Sequence, residues 1–293
     1  MRAFNAAAYV TLLRPQQWTK NLLVFAALLF AARINDPAGR MSAIRLFVAF
    51  CLASSCVYIY NDIRDRGYDQ LHPRKRHRSI ASGQVTPLAG AAIALALLAG
   101  SILLSWRTTA AARACLVGYL LLQAAYTLFL KRQVILDVMA ISAGFVLRAV
   151  AGAYAIDVVI SPWLLICTIL LSLFLALSKR RSELLSTENA RAHRMVLGEY
   201  TITLLDQLIA VVTAGTLLAY ILYTYSEQTM RKFPSHLMPL TLPFVLYGIF
   251  RYLYLIYRKD EGGEPELLMV KDLPLLIDIA LWAAAVAAIV SLG

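Results

Sequence analysis

Asn61, Asp62, Asp65 and Asp69 stand together in the stretch "YIYNDIRDRGYDQLHPRKRHRSIASG", Tyr58 to Gly83. The aspartates are spaced i, i+3 and i+7, which places them on one face of a helix. Asn61 lies four residues before Asp65, at the edge of that face. Hard oxygen ligands gathered this way suit Mg²⁺, which takes one or two carboxylates and completes its shell with substrate phosphates and water. A solvated helix end with Asp–Arg pairs is the plainer alternative. Four oxygen-bearing side chains on one face, at the end of a long apolar run, favour the metal. Basic residues are packed in and after the stripe: Arg64, Arg66, Arg74, Lys75, Arg76 and Arg78. Alone, such a run anchors a helix at the cytoplasmic surface. Beside a metal-type stripe it suits a multiply charged phosphate ligand, with Mg²⁺ bridging a diphosphate and Lys/Arg holding its other oxygens.

Further charges fall at the ends of apolar runs. Lys20 lies in "RPQQWTKN", Lys131 follows "AYTLFL", and Lys179, Arg180 and Arg181 close "LALSKRR". Each alone reads as a snorkelling anchor. Arg148 is different, because it sits in the middle of "AISAGFVLRAVAGAYAI". An arginine at membrane depth is costly and faces a polar cavity or a partner. Asp278 is a weaker case of the same kind. Tyr58, one turn before Asn61, lines either the same site or the interface. The four histidines are scattered, and no nucleophile elbow, P-loop or dinucleotide glycine pattern is present. Cys51, Cys56, Cys115 and Cys167 lie inside apolar runs without metal spacing and read as small core residues.

The elements that must position these residues are membrane helices. Of the 293 residues, 60% are hydrophobic, and the mean hydropathy is +0.67; a soluble domain averages roughly 45–50% apolar. Run length gives nine candidate spans, at about 20–33, 43–60, 88–106, 112–130, 134–156, 162–178, 202–225, 239–257 and 273–292. The first is a retained helix rather than a cleaved signal. Of the 28 Lys and Arg residues, 19 fall on the side that holds the N-terminus and the loops after spans two, four, six and eight, against 7 on the other. That asymmetry places the N-terminus, the aspartates and the basic cluster in the cytoplasm and the C-terminus outside. The net charge of +11 is then a topology signal and does not point to nucleic acid. No soluble domain or long linker interrupts the chain, so residues 1–293 read as one integral membrane domain. The two longest polar segments, 61–87 and 179–200, lie four helices apart and hint at a repeated four-helix unit. The sequence sets no oligomeric state.

"NDIRDRGYD", Asn61 to Asp69, matches NDxxDxxxD, and in this the chain resembles the UbiA-type membrane prenyltransferase superfamily. The nine spans and the element from Tyr126 to Lys131 support the resemblance, which covers essentially the whole chain. Within that superfamily it looks most like the decaprenyl-phosphate phosphoribosyltransferase branch, on "LRPQQWTKN", "DQLHPRKRHRSIASG" and "LALSKRRSEL". Ordinary members carry a second acidic motif after span six; here that place holds Lys179, Arg180 and Arg181, with Glu183 the one acid. The departure weakens a reading as aromatic prenylation and favours an anionic, phosphate-bearing partner.

The resemblance implies an all-α bundle around a cavity open to the cytoplasm. It implies Mg²⁺ held by Asn61, Asp62, Asp65 and Asp69. The implied donor is 5-phosphoribosyl 1-diphosphate and the acceptor a polyprenyl phosphate. Lys20, Lys75, Arg76 and Arg78 are candidate contacts of the donor phosphates and Lys131, Lys179 and Arg180 of the lipid phosphate; Tyr58, Tyr126 and Arg148 are further substrate-binding candidates. The product would feed arabinose donors of a bacterial cell envelope. Two other readings compete. A prenyl diphosphate donor with an aromatic or lipid acceptor would use the same stripe. An ion transporter would place its carboxylates near the bilayer midplane, not at a helix exit.

Overall fold

In a computed structural model of the chain, residues 6–30, 36–71, 75–185, 195–232, 236–258, 268 and 271–291 are described. Arg74 and residues 31–33 of the first expected span lie outside them. Every regular element among the described residues is helical. Among the described residues eight helices are long and apolar enough to cross a membrane, beside nine spans expected from run length. The difference lies at the first run. Pro15–Phe25 winds as a 3-10 helix, entered through Arg14 at φ 52°, and only Ala26–Phe30 is α-helical. Pro15 suits a first helical position, whereas "QQWTKN" carries no apolar stripe at helical spacing.

The chain divides into two compact units. The first comprises Met1–Leu28, Ile34–Leu128 and Leu147–Val159. Its helices are α1 (Ala6–Leu13), the first part of α2 (Ala26–Phe30), α3 (Pro37–Arg64), α4 (Arg66–Leu71), α5 (Pro87–Ser105), α6 (Ala110–Leu128) and the second part of α7 (Leu136–Ala155). Helix α3 is the centre: α1, α5, α6 and the 3-10 helix all pack on it. Lipid tails are as apolar as leucine, so close van der Waals packing and hydrogen bonds hold such helices together. The core accordingly mixes Leu46, Phe50 and Leu116 with the small residues Ala49, Ala53, Ala112 and Ala151. Ser101 Oγ donates to the Ala49 carbonyl at 2.8 Å, and Ser42 Oγ to that of Ala155 at 2.7 Å. A Cβ at Gly152 would lie 2.1 Å from the Val24 carbonyl oxygen, so the 3-10 helix crosses α7 where only glycine fits.

The second unit comprises Leu29–Arg33, Phe129–Val146 and Ile160–Gly293. It holds the start of α7 together with α8 (Pro162–Leu185), α9 (Ile202–Tyr225), α10 (Glu227–Lys232), α11 (Leu242–Arg258) and α12 (Leu273–Ser291). Helices α8 and α9 pair along their length. Phe174, Leu177, Leu205, Ile209, Tyr252 and Leu255 form the core there, with the Phe174 and Tyr252 rings 5.2 Å apart.

Candidate functional site

Helix α3 carries the acidic stripe out of the apolar layer. Asp65 breaks the helix for one residue, at φ −89° and ψ 7°, and α4 resumes it. The ladder survives the break: the Asp65 amide donates to Asn61 O at 2.8 Å and the Asp69 amide to Asp65 O at 2.9 Å. Asp62 and Asp69 therefore keep one side. Both are buried, at 3% exposure, while Asn61 and Asp65 are half-buried.

The basic residues reach this face by two separate routes. One is α1, which packs Ala8 and Leu12 on Ile59, Ile80 and Val85. Its exit places Arg14 against Asp62, with Nη2 donating to Oδ1 at 2.5 Å, and over the Tyr58 ring at 5.0 Å. The other is the turn after Lys75. Ile80 is wholly buried, Ser79 Oγ donates to Ala8 O at 2.8 Å, and Gly83 closes the turn at φ 74°. That anchoring delivers Arg78, whose Nη1 donates to Asp62 Oδ1 at 3.1 Å and to Asp69 Oδ2 at 2.7 Å. Asp–Arg pairs are thus present, as the plainer alternative supposed, but the carboxylates are buried rather than solvated.

The remaining first-unit candidates have other partners. Asn61 Oδ1 accepts from Thr127 Oγ1 at 2.8 Å, one residue beyond Tyr126 on α6. Lys20 Nζ donates to Gln17 Oε1 at 2.7 Å, and Tyr58 OH donates to the same oxygen at 3.4 Å. Lys75 and Arg76 lie on the 3-10 turn Lys75–His77, Arg76 exposed beside His77. Arg148 is buried in its own polar cluster: Nε donates to Asn21 Oδ1 at 2.7 Å and Nη2 to Tyr119 OH at 3.1 Å.

In the second unit Arg180 is 1% exposed. Its Nε donates to Asp137 Oδ2 at 2.7 Å and its Nη1 to Glu183 Oε2 at 2.6 Å. The other oxygen of Asp137 accepts from Tyr200 OH at 2.8 Å, and Tyr200 OH accepts from the Ile135 amide at 2.8 Å. Burial, reinforced by the Asp137 carboxylate, pushes the Tyr200 phenol above its ordinary value. Ile135 takes φ 68°, a left-handed conformation disfavoured for a β-branched residue. Lys131 and Lys179 are half-buried in this unit. Arg181 pairs with Asp206 at 2.6 Å.

Of the residues expected from sequence, the structure joins Asp62, Asp69 and Arg78 directly; Lys20 and Tyr58 meet at Gln17, Arg148 lies in a separate cluster with Asn21 and Tyr119, and Arg180 is engaged by Asp137 and Glu183 in the second unit. Arg14, Gln17, Thr127, Asp137 and Tyr200 escaped sequence reasoning. For Arg14 the signal was its place in "LRPQQWTKN", beside the already noted Lys20.

Two carboxylates converge on one cationic nitrogen, and among the described residues no three His, Cys, Asp or Glu side chains are gathered closely enough to hold a metal ion by themselves. This donor set does not make an all-protein cage. It fits an oxygen-seeking divalent cation that takes the rest of its shell from phosphate and water.

The UbiA prenyltransferase family pattern matches residues 21–269. A decaprenyl-phosphate phosphoribosyltransferase of Mycolicibacterium smegmatis is 35% identical, over 94% of this chain and 90% of its own length. One from Mycobacterium tuberculosis is 33% identical, over 98% of this chain and 95% of its own. The structure of a UbiA homolog from Archaeoglobus fulgidus, bound to GPP and Mg²⁺, shares the fold at TM-score 0.74 and 17% identity, over 97% of this chain and 99% of that one. With its all-helical membrane fold and an NDxxDxxxD stripe carried out on α3, the chain belongs to the UbiA prenyltransferase family.

Proposed function

We propose that this membrane protein transfers 5-phosphoribose from 5-phosphoribosyl 1-diphosphate to a polyprenyl phosphate and releases diphosphate, with Mg²⁺. The supporting observation is the convergence of buried Asp62 and Asp69 with Arg14 and Arg78 at the end of α3. The near full-length relatives named decaprenyl-phosphate phosphoribosyltransferase supply the substrate class. The reading takes residues 1–293 as one transferase domain, with the stripe on the cytoplasmic side of a bacterial inner membrane and the product used for cell-envelope glycans.

Asp62, Asp65 and Asp69, with Asn61 at the edge, would hold Mg²⁺ together with the donor diphosphate. When bound, that ion supplies charge neutralisation on the leaving group. Lys20, Arg14, Lys75, Arg76 and Arg78 would bind the donor phosphates, and Tyr58 would orient Arg14 through its ring. Lys131 and Lys179 would bind the lipid phosphate. Arg180, engaged by Asp137 and Glu183, would position that end of α8 rather than touch substrate. A phosphate monoester is already anionic, so attack at C1 of the ribose needs no strong general base; positioning and fixed charge supply the rate.

A second reading, prenyl transfer from a prenyl diphosphate, draws on the fold neighbour bound to GPP. It is disfavoured by Lys179, Arg180 and Arg181 after the sixth expected span. Competition binding separates the two. With Mg²⁺ present, labelled 5-phosphoribosyl 1-diphosphate should be displaced by its unlabelled form and not by geranyl diphosphate at equal concentration. Tighter binding of geranyl diphosphate would reverse the assignment.

A further inference from the structure

We propose that Arg78 is a built-in competitor for the Asp62–Asp69 pair, so that a divalent cation gains these carboxylates only together with a diphosphate that takes the guanidinium over. The inference rests on the reading that a metal–diphosphate ligand binds at this stripe, and it adds the order and coupling of that binding.

Three observations carry it. A single nitrogen, Arg78 Nη1, reaches oxygens of both carboxylates, at 3.1 Å and 2.7 Å. Asp62 Oδ1 accepts a second guanidinium from Arg14 at 2.5 Å. Two carboxylates face two guanidinium groups, so these four side chains carry no net formal charge among themselves. A bare dication would have to break charge-assisted hydrogen bonds and then sit beside two displaced positive charges at short range. Burial differs between the partners. The Asp62 and Asp69 side chains expose 4% and 5%, whereas those of Arg14 and Arg78 expose 25% and 30%. The carboxylates are buried, whereas the arginine side chains keep part of their surface accessible. The Arg78 backbone stays fixed by buried Ile80 and the turn at Gly83, so its long side chain is the moving part.

A diphosphate changes the balance, because its oxygens match the planar guanidinium fork and offset the charge of the dication. Arg78 then exchanges a carboxylate pair for phosphate oxygens, and the carboxylates are released to the metal. Binding of each ligand favours the other, and the coupling is reciprocal. The arrangement would keep the site from holding a metal idly.

The test uses the full chain in detergent, with Mn²⁺ as a paramagnetic probe and labelled inorganic diphosphate. Free Mn²⁺ is read by electron paramagnetic resonance in the absence of diphosphate, and diphosphate binding is read at fixed excess Mn²⁺. Arg78→Gln should tighten Mn²⁺ about tenfold and weaken diphosphate about tenfold, within the usual range of site-to-site coupling. Arg78→Lys, which keeps the competing charge, should return Mn²⁺ affinity toward wild type. A merely structural role for Arg78 cannot tighten metal binding. If Arg78→Gln does not fold, Arg14→Gln carries the charge competition in a smaller form, since it removes one of the two guanidinium donors on Asp62 Oδ1 and should still tighten Mn²⁺. Unchanged or weaker Mn²⁺ binding in these variants, with wild type still binding diphosphate, overturns the competition alone. Wild type that binds no diphosphate with Mn²⁺ overturns the functional reading as well.

Discussion

Arg180 Nε lies 2.7 Å from Asp137 Oδ2, and neither side chain exposes more than 2% of its surface. The pair ties the end of α8 to the start of α7. Removing one member of a buried pair costs up to about 3–5 kcal/mol, less here because Arg180 keeps Glu183, whereas replacing both by apolar groups costs far less. Asp137→Ala should therefore unfold at clearly lower SDS mole fraction in mixed micelles. Asp137→Leu combined with Arg180→Leu should recover much of the loss. Additive losses would mean that the pair is not coupled.

Tyr200 hydrogen-bonds Asp137 and has its phenol pKa raised by burial and by that carboxylate. The sign follows directly. Below the unfolded tyrosine value, about pH 10, both states are protonated and this contribution is intact. Above it the unfolded chain ionises first, and stability falls. Unfolding curves between neutral pH and about pH 11 should steepen in wild type. Tyr200→Phe should be weaker at neutral pH, having lost two hydrogen bonds, and flatter on the alkaline side.

Gly152 and Gly67 make a paired comparison. A Cβ at Gly152 would meet the Val24 carbonyl oxygen at 2.1 Å, while one at Gly67 meets nothing within 4 Å. Gly152→Ala must push the 3-10 helix off α7 and should sharply lower the folded yield. Gly67→Ala lies in α4 and should gain roughly 0.5–1 kcal/mol from helix propensity. Equal yields of the two variants would contradict the close crossing.

What the sequence made legible follows from range. The seven spans from 88–106 onward, and the 43–60 run, are continuous apolar stretches, and each became a helix. The aspartate stripe was legible because helical periodicity is local. The partners were not. Arg14 meets Asp62 across 48 residues, Arg180 meets Asp137 across 43, and Arg148 meets Asn21 across 127. No periodicity connects such pairs; tertiary packing decides them. Arg148 shows the limit clearly: its need for a polar partner followed from its depth in an apolar run, but the identity of Asn21 and Tyr119 did not. Of the first expected span, 20–33, the described residues wind as a 3-10 helix to Phe25 and as an α-helix over Ala26–Phe30.

The half-buried Asp65 sits at the one-residue break between α3 and α4. If it helps hold the metal, Asp65→Asn should lower turnover on the order of 10³-fold with little change in folded yield, a loss of several kcal/mol of transition-state stabilisation. Near wild-type turnover in Asp65→Asn, measured under excess Mg²⁺, would remove it from the site.

The central claim is the transfer itself. Purified chain in detergent, labelled 5-phosphoribosyl 1-diphosphate and decaprenyl phosphate should move label into the organic phase with Mg²⁺ and not with EDTA. No transfer from that donor, with turnover of a prenyl diphosphate onto an aromatic acceptor, would contradict the account.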